Sequence, residues 1–118
     1  MKYDLEERMA KFGEAILDFV KTLPKDVINR PLINQIVRSA TSVGANYMEA
    51  IQASSKKDFK NKIYICRKES NETKHWLRML ASVNQAVLEP VKKLWQESHE
   101  LTLIFAKISK NCDDKTAA

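Results

Sequence analysis

The sequence has 118 residues, 44% of them hydrophobic and 30% charged, with a formal net charge of +5. That is enough chain for one domain with its own core. No apolar run approaches the roughly 18 residues of a membrane span. Cys66 and Cys112 have no metal-like spacing and follow no N-terminal secretory pattern, so a reducing compartment and a cytoplasmic location are expected.

Two glycines and three prolines leave few forced interruptions, and long helices follow. In the first, expected over about 4–23, Leu5, Met9, Phe12, Ile16, Phe19 and Leu23 alternate steps of four and three, the spacing of a bundle seam. Asp4 with Glu7 resembles a capping box, and Pro24 closes the helix. Pro31 suits the first turn of a second helix, about 31–53, with Ile33, Ile36, Val37, Ala40, Val43, Gly44, Tyr47 and Ile51 on its core face. Ser55, three residues before Asp58, starts a third helix, about 56–84, whose seam is Phe59, Ile63, Cys66, Ser70, Thr73, Leu77 and Leu80. Pro90 marks the first turn of a fourth, about 90–110, where Val91, Leu94, Trp95, Ser98, Leu101, Phe105 and Ile108 repeat the pattern before a polar tail, "NCDDKTAA", expected to fray. No segment alternates as a strand would. Short connections between such helices favour an all-α, antiparallel up-down-up-down four-helix bundle forming a single domain over 1–118.

The second helix carries a further pattern. Gln35, Arg38, Ser42, Asn46 and Glu49 fall within roughly 80° of one another, nearly opposite the apolar face. A face that only meets water would favour Lys and Glu, since Ser and Asn each lower helix stability by roughly half a kcal/mol. Small and amide side chains suit a partly buried polar seam against a second protein surface, whereas the bland alternative is a solvated face of accidental composition. On the core side Gly44, lacking a Cβ, would let a neighbouring helix or the Tyr47 ring sit close.

Charge is uneven as well. Lys56, Lys57, Lys60, Lys62, Arg67, Lys68, Lys74 and Arg78 face only Asp58, Glu69 and Glu72 between residues 54 and 79, so the third helix carries the whole net charge of +5. A basic helix is the footprint expected for phosphate backbones or acidic partners. The competing reading is a Lys-rich solvent face, since no aromatic platform or glycine-rich phosphate cradle stands beside it in the sequence.

Reaction chemistry finds no footing. "ETKH" places Glu72 three residues before His75, half of a di-metal carboxylate pattern, but His99 is preceded by Gln96 and the second half is missing. Glu72 reads as a boundary acid near Trp76, His75 as a surface residue and Cys66 as a small core residue rather than a nucleophile. No catalytic residue, metal or cofactor is expected.

The stretches "RSATSVGANYMEA", "SSKKDF" and "RKESNETKHWLRML" resemble, in that order, the signatures of a bacterial four-helix bundle family first known from open reading frames in intervening sequences of 23S ribosomal RNA genes. The likeness covers about residues 5 to 110. Its second-helix pattern is matched by Arg38, Ser42, Asn46 and Glu49, and its third-helix segment by Glu69, Glu72, Trp76 and Leu77. The glycine that closes the second-helix motif in many relatives is absent, because "EAIQASS" runs on with alanine. The resemblance implies homopentamers of four-helix protomers with basic surfaces. It also brings in a relative, the accessory variability determinant of diversity-generating retroelements, that associates with a reverse transcriptase and nucleic acid.

Two function classes follow. In the first, a homo-oligomeric module binds RNA or DNA through the third-helix cations, while Gln35, Arg38, Ser42, Asn46, Glu49, Glu69 and Glu72 form a polar network that joins protomers. In the second, the lysines serve solubility and the protein is an interaction scaffold or accessory subunit for another protein.

Overall fold

The computed structural model describes residues 4–117, with side chains to Asp113. Four helices follow one another: α1 (Leu5–Val20), α2 (Asn29–Ile51), α3 (Lys56–Val83) and α4 (Leu88–Ala117), the last entered through a 3₁₀ turn at Gln85–Val87. No strand occurs among the described residues. Cross-helix contacts give the direction of each helix. Met9 lies under Gly44 and Gly13 beside Ala40. Ser39 meets Thr73 and Lys62 meets Glu49. Ser70 meets Thr102 and Lys60 meets Asp113. In each pair of helices the numbers rise on one side as they fall on the other, so successive helices are antiparallel. Arg8 closes the bundle by bridging α1 to Glu97 and Glu100 of α4.

Local chemistry sets the ends. The Asp4 carboxylate accepts the Glu7 N–H at 3.0 Å and the Ser55 hydroxyl accepts the Asp58 N–H at 3.0 Å, the two caps expected from sequence. α1 stops at Val20 rather than near residue 23, because the Thr22 hydroxyl donates to the Phe19 carbonyl and the Lys25 ammonium to the Val20 and Leu23 carbonyls. α2 begins at Asn29, ahead of Pro31. Asp26 accepts the N–H groups of Ile28 and Asn29 at 3.2 and 2.8 Å, taking up amides that a helix start leaves unpaired. α4 continues through the segment expected to fray, as far as Ala117.

The core joins Met9, Phe12, Ile16 and Phe19 to Ile36, Ala40, Val43, Ile63, Cys66, Leu77, Leu80, Leu101 and Phe105. Burial of each large side chain stabilises the fold by about 1.5–3 kcal/mol relative to exposure. The face that α2 buries is turned toward α3 by roughly half of one 100° residue step from the face its apolar residues predict. Ile51, expected in the core, is 53% exposed, whereas Ser39 is fully buried. The turn is possible because the Ser39 hydroxyl finds Thr73 Oγ1 at 2.8 Å. A second hydroxyl pair, Ser70 with Thr102 at 2.9 Å, and the Ser98 hydroxyl donating to the Ser70 carbonyl at 2.6 Å extend this polar layer across α3 and α4. Among the described residues no buried side-chain nitrogen or oxygen lacks a partner, so hydrogen bonds offset the desolvation of these short side chains where they draw the helices together. No helix among the described residues is long and apolar enough to cross a membrane.

Candidate nucleic-acid interface

The eight basic residues of α3 divide by angle. Lys56, Lys60, Arg67, Lys74 and Arg78 fall within roughly 40° of one another, with Lys57 and Lys68 on the adjoining outward row. This row lies beside α4: Lys60 pairs with Asp113, and Lys74 reaches His99 Nδ1 at 3.0 Å. Lys62 is on the other flank, facing α2, where its ammonium lies 2.8 Å from the Glu49 carboxylate. The hydrogen bond and the charge of Glu49 hold the Lys62 ammonium above its ordinary pKa. Seven cations therefore share a flank, and at about 1.5 Å per residue they extend over roughly 33 Å from Lys56 to Arg78. Among the described residues Lys56, Lys57, Arg67, Lys68 and Arg78 make no ion pair and are exposed. At the N-terminal end of the row a groove of about 810 Å³ opens between Ser55, Lys56, Phe59, Lys60 and Cys112.

Aromatic rings stand on the same flank, contrary to the sequence expectation. Tyr64 is 60% exposed and follows Lys60 by four residues, preceding Arg67 and Lys68 by three and four. On α4 the Trp95 ring stacks on His99, centroids 5.1 Å apart and planes inclined by 16°. The Lys74 ammonium sits 5.1 Å from the Trp95 ring centroid, joining the two helices through a cation–π contact. Tyr64 was legible as a tyrosine off the apolar seam with basic neighbours one turn away on each side. Trp95 was not, because the cation beside it, Lys74, comes from another helix.

The polar stripe of α2 lies along the α2–α3 boundary instead of opposite the core. Arg38 donates to Glu69 at 3.1 and 3.3 Å, forms a close pair with Glu72 and reaches Gln35 at 3.4 Å. Burial opposes the Arg38 charge, but hydrogen bonding and charge from Glu69, with a further contribution from Glu72, raise its pKa above the ordinary value. Ser42 donates to the Arg38 carbonyl at 2.6 Å and Asn46 to the Ser42 carbonyl at 2.9 Å. Within one protomer these bonds link Gln35, Arg38, Ser42, Asn46, Glu69 and Glu72, while Glu49 pairs with Lys62 instead.

Three sequence readings meet their geometry directly. The Trp76 indole donates to Glu72 at 3.2 Å, so Glu72 is a boundary acid, and exposed His75 packs edge-on against Trp76. Cys66 is fully buried and its thiol donates toward the Val43 carbonyl at 3.5 Å. Burial pushes the Cys66 pKa up to about 12, which withholds the thiolate needed for nucleophilic chemistry. No group of three or more potential metal ligands forms among the described residues.

A family model described as 23S rRNA-intervening sequence protein matches residues 1–107 of the chain. Among solved structures, the crystal structure of a protein of unknown function from the S23 ribosomal protein family of Bacteroides thetaiotaomicron is similar with a TM-score of 0.82 and 33% identity, covering 91% of this chain and 99% of that one. Comparison with curated proteins finds no match.

Proposed function

The chain belongs to the 23S rRNA-intervening sequence protein family, and from that premise we propose that it is a non-enzymatic, homo-oligomeric protein that binds RNA or DNA through the basic flank of α3. The observation that carries this reading is the set of five exposed cations along one side of α3, Lys56, Lys57, Arg67, Lys68 and Arg78, which have no acidic partner among the described residues. Repulsion among them is relieved when they pair with phosphates; the side chains then replace cations condensed on the nucleic acid, and release of those counterions drives binding. Phosphate contacts of this kind confer affinity without base sequence preference.

The test replaces those five residues with Gln and leaves Lys60, Lys62 and Lys74, whose ammonium groups hold Asp113, Glu49 and His99. Folding is then preserved while binding weakens for every sequence. The slope of log affinity against log salt falls by about 0.9 per lost phosphate contact on duplex DNA, or about 0.7 on a single strand. Identical binding by both proteins at every salt concentration overturns the proposal.

A second reading, an interaction scaffold, has its own observation. A groove of about 570 Å³ between α1 and α2 is floored by Ala10, Gly13, Gly44 and Ala45 and flanked by Leu17 and Met48, which are 37% and 51% exposed. Its small floor and exposed apolar flanks also suit docking of a second copy of the chain. A reverse transcriptase partner rests on the sequence resemblance alone, and co-purification is its test.

A further inference from the structure

We infer that the α3–α4 flank prefers single-stranded nucleic acid, with bases stacking on Tyr64 and on the Trp95–His99 pair while phosphates follow the cations between them; this rests on the nucleic-acid reading above. Three observations bear on it. Tyr64 is a large ring held 60% exposed on a helix that buries Ile63 and Cys66 completely on its other side. Its hydroxyl has no hydrogen-bond partner among the described residues. Its neighbours one turn away, Lys60, Arg67 and Lys68, are cations, with Cβ atoms about 5–6 Å away on an α-helix.

The second platform differs from a core aromatic. Trp95 keeps 37% of its surface exposed and already has one face on His99 and a cation at 5.1 Å. A base stacks on a ring face, and a ring with positive charge beside it suits an unpaired base next to its phosphate. Lys74, which anchors this platform, follows Tyr64 by ten positions, or about 15 Å along α3. At about 3.4 Å per nucleotide along a stacked strand that separation matches roughly four nucleotides. A duplex cannot use the rings, because its bases are stacked and paired inside. It retains the phosphate contacts only.

The experiment measures fluorescence anisotropy with a labelled uridine homopolymer and with a duplex of equal length, across salt concentrations. It compares wild type, Tyr64→Ala, Tyr64→Phe, Trp95→Ala and the five-residue Gln variant, each checked for helicity by circular dichroism. Base stacking on an aromatic side chain corresponds to about a tenfold loss of affinity or more when the ring is removed. Tyr64→Ala and Trp95→Ala are therefore expected to weaken single-strand binding about tenfold each, with duplex binding and the salt slope unchanged and Tyr64→Phe equal to wild type. If the Gln variant loses affinity but Tyr64→Ala binds the homopolymer as wild type does, or if the duplex binds more tightly, the stacking inference is overturned and the phosphate reading stands. If wild type binds neither probe at low salt, both fail.

Discussion

Gly44 shows how a residue can mislead until its neighbours are placed. It does sit where α2 crosses α1, but a Cβ there would lie 3.8 Å from Met9 Cβ and 3.9 Å from the Met9 backbone, ordinary van der Waals contact. Intrachain packing therefore has room for alanine. Gly44→Ala is expected to stabilise the protomer by up to about 1 kcal/mol through helix propensity, seen as a higher urea midpoint at constant m-value. A lower midpoint would mean the crossing cannot accept a methyl group. Arg38 poses the opposite case, because its guanidinium is 48% exposed while the Glu69 side chain it holds is only 12% exposed. Arg38→Ala leaves that carboxylate enclosed without its cation and is expected to cost about 1–3 kcal/mol, less than the breaking of a fully buried pair because water reaches the guanidinium. Arg38→Lys restores the charge but not the fork that spans two carboxylates, so it recovers part of the loss at most. Equal urea midpoints for all three proteins would reduce the network to a solvated contact.

At the scale of elements, the start of α2 depends on a side chain outside it. The Asp26 carboxyl is held below its ordinary pKa by the Asn29 backbone N–H, against a desolvation that raises it, and with further help from the Asn29 side chain and the Ile28 N–H. Asn29 in turn accepts from Asn84 Nδ2 at 2.7 Å, so the cap that starts α2 also ties down the end of α3. Because the folded-state value is depressed, the stabilisation is fully present above the ordinary carboxylate range and is lost as pH falls through the folded-state value. Asp26→Ala is therefore expected to lower Tm at neutral pH, with the gap from wild type closing in acid. A gap that stays constant down to strongly acidic pH would show that the negative charge is not what caps the helix.

For the whole molecule, the shape and the faces left open matter most. The protomer measures 51 × 24 × 23 Å, a rod whose α3–α4 flank is basic and whose α1–α2 groove is lined by small and apolar residues with Asp4, Glu6, Glu7 and Glu14 at its edge. The groove is the better candidate for self-association, and Leu17→Glu with Met48→Glu tests it. Light scattering of wild type is expected to give a multiple of 13.6 kDa, falling toward a single protomer in the double variant. A wild-type monomer at high micromolar concentration would contradict homo-oligomerisation. A variant oligomer of unchanged mass would move the interface elsewhere.

The sequence by itself determined the four helices, two of their caps and most of the core, because these rest on short-range chemistry: apolar residues at steps of three and four, and Asp4 or Ser55 ahead of an amide. It also grouped Arg38 with Glu49, Glu69 and Glu72 in one polar network and concentrated the positive charge in α3. Only the tertiary structure decided which of that charge is available. Lys60, Lys62 and Lys74 meet Asp113, Glu49 and His99, residues 13 to 53 positions away in the chain, and no local pattern encodes such distances. The rotation of α2 was hidden for the same reason, since Ser39 is polar by sequence and becomes a core residue only once Thr73 stands opposite to satisfy its hydroxyl. Periodicity reads the face a helix offers on its own. Which flank is buried, neutralised or left for a ligand depends on the groups its neighbours bring to it.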